Sequence, residues 1–307
     1  MKKSLNIFSI TLILVFSLVT ITLAQNFPLQ YQDALGRNIK IENKVQRIVS
    51  LAPAITEIIY ALGAESRLVA VSSACDYPKQ ALAKEKIGRI EEPDIEKIVA
   101  LEPDLVLTES VTKVETLNRL SELGIKNIGF KPSSINDTID MIEDISYLIS
   151  AQTQGKKLTK EMRKEYQNLS KLVEEKLEKK QRPRVFYQIW LDPLYTAGEG
   201  TFIDDLITKA GGYNVASKAA GRWPTYSAES LIAADPEVYI SSKHSTPEGL
   251  DLEDLSQKKI FREVSAFKNK RVYLVDQDLV NRPSNRIIKG YKEIIKAIFP
   301  DLKEEIN

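Results

Sequence analysis

Few side chains of this chain could act as nucleophiles or bind a transition metal. His244 is the only histidine and lies in the polar stretch 241–247, which is typical of a loop, and Cys75 is the only cysteine. One imidazole and one thiol cannot supply a histidine-rich metal site or a convincing Ser–His–Asp triad. We interpret His244 as an exposed loop residue and Cys75 as a small buried thiol. The pattern disfavours hydrolytic chemistry, and no catalytic residue, cofactor or metal site is predicted.

Two short motifs are weak signals for phosphate or acid chemistry. Gly198-Glu-Gly-Thr201 resembles an anion-binding turn, but it lacks the dinucleotide fingerprint and the Walker lysine. A loop that joins a strand to a helix explains it. Asp204 and Asp205 near a predicted helix start match the helix dipole better than they match a catalytic pair.

Aromatic and charged residues, in contrast, collect in predicted loops that follow strands. Ligands of open α/β sheets bind beyond the carboxyl ends of the strands, where such loops lie, and aromatic rings there can flank a large, flat ligand. Both tryptophans of the chain, Trp190 and Trp223, fall in such loops. The ligand-binding residues predicted in these loops are Tyr77, Arg89, Trp190, Tyr195, Arg222, Trp223 and Arg282.

A repeat carries one glutamate in each of its two copies. The segment 95–108 (IEKIVALEPDLVLT) is echoed 133 positions later by 228–241 (AESLIAADPEVYIS). Both copies show apolar residues at helical spacing, then an acidic-Pro-acidic turn and a β-rich run, which predict helix, turn and strand. Glu96 and Glu229 fall in the first turn of the two helices. They predict two lobes with matched acidic spots, unless they only stabilise the helix dipoles.

Alternating strands and helices must position these residues. The sequence predicts a buried strand at 47–51, a helix at 54–62 and the next strand at 67–72. The second half begins the same alternation with a strand at 184–190 and ends with a helix at 284–299. This alternation predicts parallel sheets covered by helices. The predicted fold is α/β with two lobes, each a mainly parallel sheet with flanking helices, joined by a single long α-helix.

The segment 156–180 is strongly charged, and its few apolar residues form a narrow helical stripe. Such a helix can bridge two domains; a coiled coil is the alternative, although about three heptads would lack regular partners. The predicted limits are a signal peptide at 1–24, an N-terminal lobe at 25–152, a connecting helix at 153–182 and a C-terminal lobe at 183–307.

The N-terminus is typical of a secretory signal peptide. Lys2 and Lys3 precede an apolar run at 4–23, and Thr22-Leu23-Ala24 resembles a cleavage site. The run is long enough to span a bilayer, so an uncleaved membrane anchor is the alternative. No cysteine near the cleavage site would accept a lipid anchor. We expect a secreted protein.

Net charge, length and cysteine count limit the kinds of protein that this chain can be. Without Lys2 and Lys3, 41 basic residues face 42 acidic ones, so no basic excess favours nucleic acid. About 280 mature residues exceed what one compact core usually serves, which favours two domains. A single cysteine cannot form an intrachain disulfide.

The motifs together resemble the periplasmic substrate-binding proteins that serve ABC importers for cobalamin, ferric siderophores and haem. The resemblance covers nearly the whole mature chain and rests on the segments 33–37 (DALGR), 47–57 (RIVSLAPAITE), 62–63, 76–78 (DYP), 95–107 and 223–229. It implies two lobes on one rigid helix, a ligand in the cleft between them and little closure on binding. It also implies that Glu96 and Glu229, one per lobe, meet arginines of a permease dimer.

Within this class the chain resembles the vitamin B12 binders. Tyr195 and Trp223 match positions that pack on the corrin, and Asp278 and Arg282 fall in the last loop that faces the cleft. On the first lobe, however, the aromatic positions of those relatives are occupied by Ala74, Ile90 and Glu109.

Two additional cations, Arg89 and Arg222, would suit an anionic ferric chelate, because guanidinium pairs well with carboxylate or catecholate oxygens. The ligand therefore stays open between a corrinoid and an iron chelate.

The resulting hypothesis is a monomeric binding protein, not an enzyme, that delivers a metal chelate to an ABC permease and its ATPase. A cofactor-using enzyme on the same scaffold is the runner-up, and the scarcity of histidine and cysteine argues against it. A membrane-coupled sensor is a third reading.

Overall fold

The chain forms two α/β lobes joined by one long helix, as a computed structural model shows for residues 26–109, 112–242, 252–257 and 259–306. The predicted signal peptide and His244 lie outside these residues. Within the described part of the chain, no helix is both long and apolar enough to cross a membrane.

Among its described residues, the N-terminal lobe contains seven strands and four α-helices. The strands are β1 Leu29–Gln32, β2 Asn38–Ile41, β3 Ile48–Ser50, β4 Leu68–Val71, β5 Glu85–Lys86, β6 Leu105–Glu109 and β7 Asn127–Phe130. The α-helices are α1 Pro53–Ala61, α2 Ile95–Ala100, α3 Val114–Glu122 and α4 Ile135–Leu148, with 3-10 turns at Glu65–Arg67 and Lys79–Ala83.

The sheet of this lobe is parallel throughout, in the order β5-β4-β3-β6-β7. The strands β1 and β2 form a separate antiparallel hairpin. Its turn is held by Asp33, whose Oδ2 lies 2.6 Å from Nη2 of Arg37, and Gly36 adopts the positive φ of 76° that the turn requires.

The connecting helix, α5, begins at Gln152 and ends at Leu177. Its 26 residues span about 39 Å. The narrow apolar stripe is buried on one side, and it packs on both lobes: Gly155 lies against Ser146 of α4, and the ring of Tyr166 meets the ring of Tyr291 edge to face at 5.5 Å. The stripe therefore serves to dock the lobes, and it is not the seam of a coiled coil.

The C-terminal lobe repeats the architecture with shorter helices. Its strands are β8 Arg184–Trp190, β9 Tyr195–Thr196, β10 Tyr213–Asn214, β11 Val238–Ser242 and β12 Val272–Val275. Its α-helices are α6 Phe202–Lys209, α7 Ala228–Ala234, α8 Leu252–Gln257, α9 Lys259–Arg262, α10 Ser265–Lys268, α11 Gln277–Val280, α12 Ile287–Ile298 and α13 Lys303–Ile306, with a 3-10 turn at Pro300–Leu302.

The sheet of this lobe has the order β10-β8-β11-β12, all parallel, and β9 pairs antiparallel with β8. The largest hydrophobic core is continuous from Ile139 of the first lobe through Met162 of α5 to Ile294 of the second. Smaller cores cover the other face of each sheet. Because buried apolar surface resists exposure to water, a core shared in this way favours one fixed orientation of the lobes.

The helix predicted as the last one corresponds to α12, which begins at Ile287, three residues after the predicted start at 284, and the short α13 follows it. The side chains of Ser284 and Arg286 bond to Glu57 of the other lobe. The segment before α12 is thereby held by tertiary contacts that helical periodicity does not report.

Candidate functional site

A cavity of about 250 Å³ lies between the lobes and is here called the inter-lobe cavity. Strand ends contribute to it from both sheets: Glu109 ends β6, Pro132 follows β7 and Ile189 lies near the end of β8. This position, beyond the carboxyl ends of parallel strands, is where open α/β sheets bind ligands. The remaining lining residues, all from the C-terminal lobe, are Phe202, Ile203, Arg222, Trp223, Asn281 and Pro283.

Arg222 and Trp223 reach the cavity from a loop that is tied to β9. The N–H of Gly198 donates to the carbonyl of Arg222 at 2.8 Å, and the N–H of Thr196 donates to that of Pro224 at 3.1 Å. A Cβ on Gly198 would overlap the carbonyl oxygen of Gly221, so this close approach requires glycine. The loop presents the indole of Trp223, which is 48% exposed, at the rim of the cavity.

Glu109 is the one acidic residue among the lining residues. Its Oε2 is shielded from solvent and has no hydrogen-bond partner among the described residues. Burial raises the pKa of this carboxyl to about 7; the charge of Glu57 adds to the rise, and that of Arg282 opposes it. A substantial fraction of Glu109 is therefore protonated at neutral pH.

A cluster of ionic contacts, here called the inter-lobe clasp, joins the lobes beside the cavity. It consists of Glu57 on α1 and of Arg282, Ser284 and Arg286 before α12. Nε and Nη2 of Arg286 donate to the two oxygens of Glu57 at 2.7 and 2.6 Å, and Oγ of Ser284 donates to Oε2 at 2.7 Å. Glu57 is 2% exposed, so these bonds are what stabilise its charge.

Arg282 adds three further ion pairs to the clasp. Its Nη1 lies 3.1 Å from Glu57 and 2.8 Å from Asp76, and its Nη2 lies 2.9 Å from Asp278. Burial acts to raise the pKa of Asp76, but the hydrogen bond and charge of Arg282 hold it below its ordinary value. The charges of Arg282 and Asp278, both predicted to bind ligand, are thus already neutralised by protein groups.

The other predicted ligand-binding residues are not among those that line the cavity. The ring of Tyr77 stacks on the guanidinium of Arg286 at 3.8 Å, and Nε1 of Trp190 donates to the carbonyl of Asp192 at 3.0 Å. Tyr195, opposite Trp190 in the β8–β9 ladder, is 37% exposed. Arg89 is mostly exposed, and its Nε lies 3.4 Å from Glu91. The structure therefore brings Arg222 and Trp223 together with Glu109, and places Arg89 in a surface ion pair.

Sequence reasoning missed Glu57 and gave Glu109 no role. The available signal for Glu57 was a single acid within the apolar run Pro53–Ala61, where a charge needs a buried partner. No signal in the sequence identified that partner, because Arg286 lies 229 positions away.

Glu96 and Glu229 occupy equivalent places in the two lobes. Both side chains are exposed in the first turns of α2 and α7. A side chain caps each helix: Oδ1 of Asp94 accepts from the N–H of Lys97 at 2.9 Å, and Oγ of Ser227 accepts from that of Ser230 at 3.0 Å. Neither glutamate forms an ion pair within the described part of the chain. Both carboxylates are accessible to a partner.

Comparison with known proteins relates this architecture to a family. Residues 48–279 match the family described as periplasmic binding protein. An uncharacterized ABC transporter substrate-binding lipoprotein, YvrC of Bacillus subtilis, is 29% identical over 286 residues, which cover 91% of this chain and 88% of the relative.

Two solved structures share the fold at lower coverage of this chain. The periplasmic vitamin B12 binding protein BtuF of Vibrio cholerae superposes with a TM-score of 0.74 at 29% identity, covering 84% of this chain and 98% of BtuF. The periplasmic heme-binding protein RhuT from Roseiflexus sp. RS-1 gives a TM-score of 0.73 at 25% identity, covering 83% and 98%. These relatives are binding proteins.

Proposed function

The chain belongs to the periplasmic binding protein family, and on that premise we propose that it is the solute-binding component of an ABC importer. It captures a metal chelate, a corrinoid or a ferric siderophore, in the cleft between its lobes and delivers it to a permease dimer powered by an ATPase. Haem is a further candidate, because a heme-binding protein is among the similar structures.

The observation that carries this proposal is the inter-lobe cavity. Both lobes contribute to it, and it combines apolar walls with a tryptophan face and two charged groups, Glu109 and Arg222. Apolar pockets with a few convergent polar groups are typical of small-molecule sites. The enclosed volume of about 250 Å³ is smaller than a whole corrinoid, so such a ligand would extend past Trp223 into the open part of the cleft.

A binding role agrees better with the site than catalysis does. Cys75 is buried, and burial raises the pKa of its thiol, which leaves it a poor nucleophile. No cluster of three or more potential metal-ligating side chains occurs among the residues that the structure describes. We propose that the protein is not an enzyme and that it acts in the periplasm as a monomer, after cleavage of the predicted signal peptide.

Delivery to the permease is proposed to use Glu96 and Glu229. Each lobe offers one exposed carboxylate at equivalent positions, and a permease dimer can present one cationic site to each. Charge complementarity of this kind sets orientation and the rate of association.

Titration of the purified protein tests the proposed function. Quenching of tryptophan fluorescence should saturate with at least one of cyanocobalamin, haemin or a ferric siderophore, because Trp223 lies at the rim of the cavity. Free Co²⁺ and Fe³⁺ salts without the chelator serve as controls and should give no saturable signal. If every chelate fails to bind and a non-metal solute binds in its place, the proposed ligand class is wrong.

A further inference from the structure

The charges that line the inter-lobe cavity restrict the charge of the ligand more narrowly than membership of the family does. Glu109 and Arg222 are the charged residues that line it, so the lining carries no cationic excess. Arg89, the other cation predicted to attract an anionic chelate, lies in a surface ion pair with Glu91. Arg282 is neutralised by Glu57, Asp76 and Asp278. A polyanionic chelate would find one unpaired guanidinium and one acid.

The carboxyl group of Glu109 lacks a hydrogen-bond donor among the described residues, and a ligand can supply one. Its Oε2 is buried, lines the cavity and has no donor among the described residues. A buried acceptor without a partner is destabilising, and a hydrogen-bond donor on a ligand would remove this penalty. The guanidinium of Arg222 likewise makes no hydrogen bond or ion pair with the described residues, and it is free to bind an acceptor oxygen of the same ligand.

From these contacts, and resting on the proposed function, we propose that Glu109 determines specificity and selects a chelate that presents a hydrogen-bond donor, an amide N–H or an ammonium, over a polyanionic chelate. Arg222 then binds an acceptor group elsewhere on the same molecule. The uncharged carboxamides of a corrinoid and the ammonium of a cationic ferric hydroxamate both supply the required donor.

A ligand that donates a hydrogen bond to Glu109 should bind more tightly as pH rises. A donor that bonds to the ionised carboxylate lowers its pKa, so binding releases a proton and tightens as pH rises. The charged groups that act on Glu109 are Glu57 from α1 and Arg282 from the segment before α12, and Arg222 lines the same cavity. The arginines stay protonated throughout the relevant range. Because the pKa of free Glu109 is raised to about 7, the change falls near neutrality.

The test compares wild type with Glu109→Gln and Glu109→Leu by calorimetric titration. The probes are cyanocobalamin, ferrioxamine B as a cationic ferric hydroxamate, and a ferric tris-catecholate as a polyanion. For a donor-bearing probe, the wild-type Kd should fall by roughly tenfold between about pH 6 and about pH 8. The Gln variant should bind with a Kd that does not depend on pH. The Leu variant should bind about ten- to a hundredfold more weakly than wild type at about pH 8.

Glu115→Gln, an exposed acid on α3, is the matched control and should retain the wild-type pH dependence. Tightest binding of the tris-catecholate, or identical pH profiles for wild type and Glu109→Gln, would overturn the role of Glu109 while leaving the proposed function intact. Absence of binding to every metal chelate would overturn both. Preference for cyanocobalamin or for ferrioxamine B identifies the donor as an amide or an ammonium.

Discussion

Arg286 of the C-terminal lobe and Glu57 of the N-terminal lobe form a two-pronged ion pair, with Nε 2.7 Å from Oε2 and Nη2 2.6 Å from Oε1. Paired bonds of this geometry fix both distance and orientation. The pair is almost fully buried, and a hydrophobic core runs through both lobes. Separating the lobes at this edge would leave a buried charge without its partner, which is energetically costly. This rigidity agrees with the small closure that the family resemblance implies.

Replacing Glu57 by Gln should therefore destabilise the protein strongly. The variant leaves the buried Arg286 without its counter-charge, and breaking a buried pair in this way costs about 3–5 kcal/mol. Urea denaturation should report the loss as a lower free energy of unfolding. Glu122→Gln, which removes an exposed ion pair with Arg119, is the control and should cost under about 1 kcal/mol. Equal losses in the two variants would show that the clasp contributes no more than a surface pair.

Glu109 should make stability depend on pH near neutrality. Its pKa rises from an ordinary value of 4.5 to about 7 on folding, so the folded state binds more protons between these values. The contribution of Glu109 to the free energy of unfolding is then fully present below about pH 4.5 and is lost as pH rises through about 7. The loss should be at most about 3 kcal/mol.

Comparing Glu109→Gln with wild type isolates this effect, because the variant has no ionisable group at that position. The difference in unfolding free energy should grow in favour of the variant from about pH 4.5 to about pH 8. A constant difference across that range would contradict the raised pKa.

Trp223→Ala should weaken binding of the chelate that wild type binds. Removing the indole from the rim of the cavity takes away a large contact face, and we expect a loss of about 1–3 kcal/mol in binding free energy. Trp223→Phe should recover part of it. Tyr213→Ala, an exposed aromatic on β10 outside the cavity lining, is the control for nonspecific effects. An unchanged Kd for Trp223→Ala would remove Trp223 from the ligand site.

Glu96→Ala combined with Glu229→Ala should separate ligand binding from transport. Both carboxylates are exposed outside the cavity lining, so the Kd for ligand should stay at the wild-type value. Uptake into vesicles that contain the permease and its ATPase should fall by about tenfold or more, because docking depends on complementary charge. The double variant Glu115→Ala with Glu304→Ala removes two other exposed acids and should transport normally. Normal uptake with Glu96 and Glu229 both replaced would exclude their docking role.

Gly155→Ala should destabilise the protein although alanine favours helices by about 1 kcal/mol. A Cβ at this position would overlap Oγ and Cβ of Ser146 on α4, which forces α5 away from the first lobe. We expect a net loss of about 1–3 kcal/mol in a thermal or urea unfolding experiment. Gln167→Ala, exposed on the same helix, should be neutral or slightly stabilising. Stabilisation by Gly155→Ala would mean that the two helices are not packed this closely.

Local patterns were enough to predict most elements. The strands and helices from Ile48 to Phe130 alternate as their hydrophobic periods indicate, and Asp94 and Ser227 cap the helices that carry Glu96 and Glu229. The single long helix was also predictable, because its charged composition and narrow stripe are local properties. Its limits were predicted only approximately: the predicted connecting helix at 153–182 begins one residue after the observed start at Gln152 and extends past the observed end at Leu177.

The ligand site was predictable only in part. Trp223 and Arg222 were predicted to bind ligand because they lie in a loop after a strand, and the structure places them at a cavity. Arg282 follows the same rule, yet it is paired with Glu57, Asp76 and Asp278. The loop position of an arginine indicates that it can reach a cleft, whereas its charge partners decide whether it is available there.

The sequence by itself determined the two-lobed α/β class, the bridging helix and the paired first-turn glutamates, because periodicity, caps and repeats act over a few residues. Only the tertiary structure decided that Glu57 meets Arg286 and that Glu109 lines the cavity with no hydrogen-bond donor to its Oε2 among the described residues. Those relationships join residues from opposite lobes, some more than 200 positions apart. The energy of a buried charge depends on which groups surround it in space, and that arrangement exists only once the lobes have packed together.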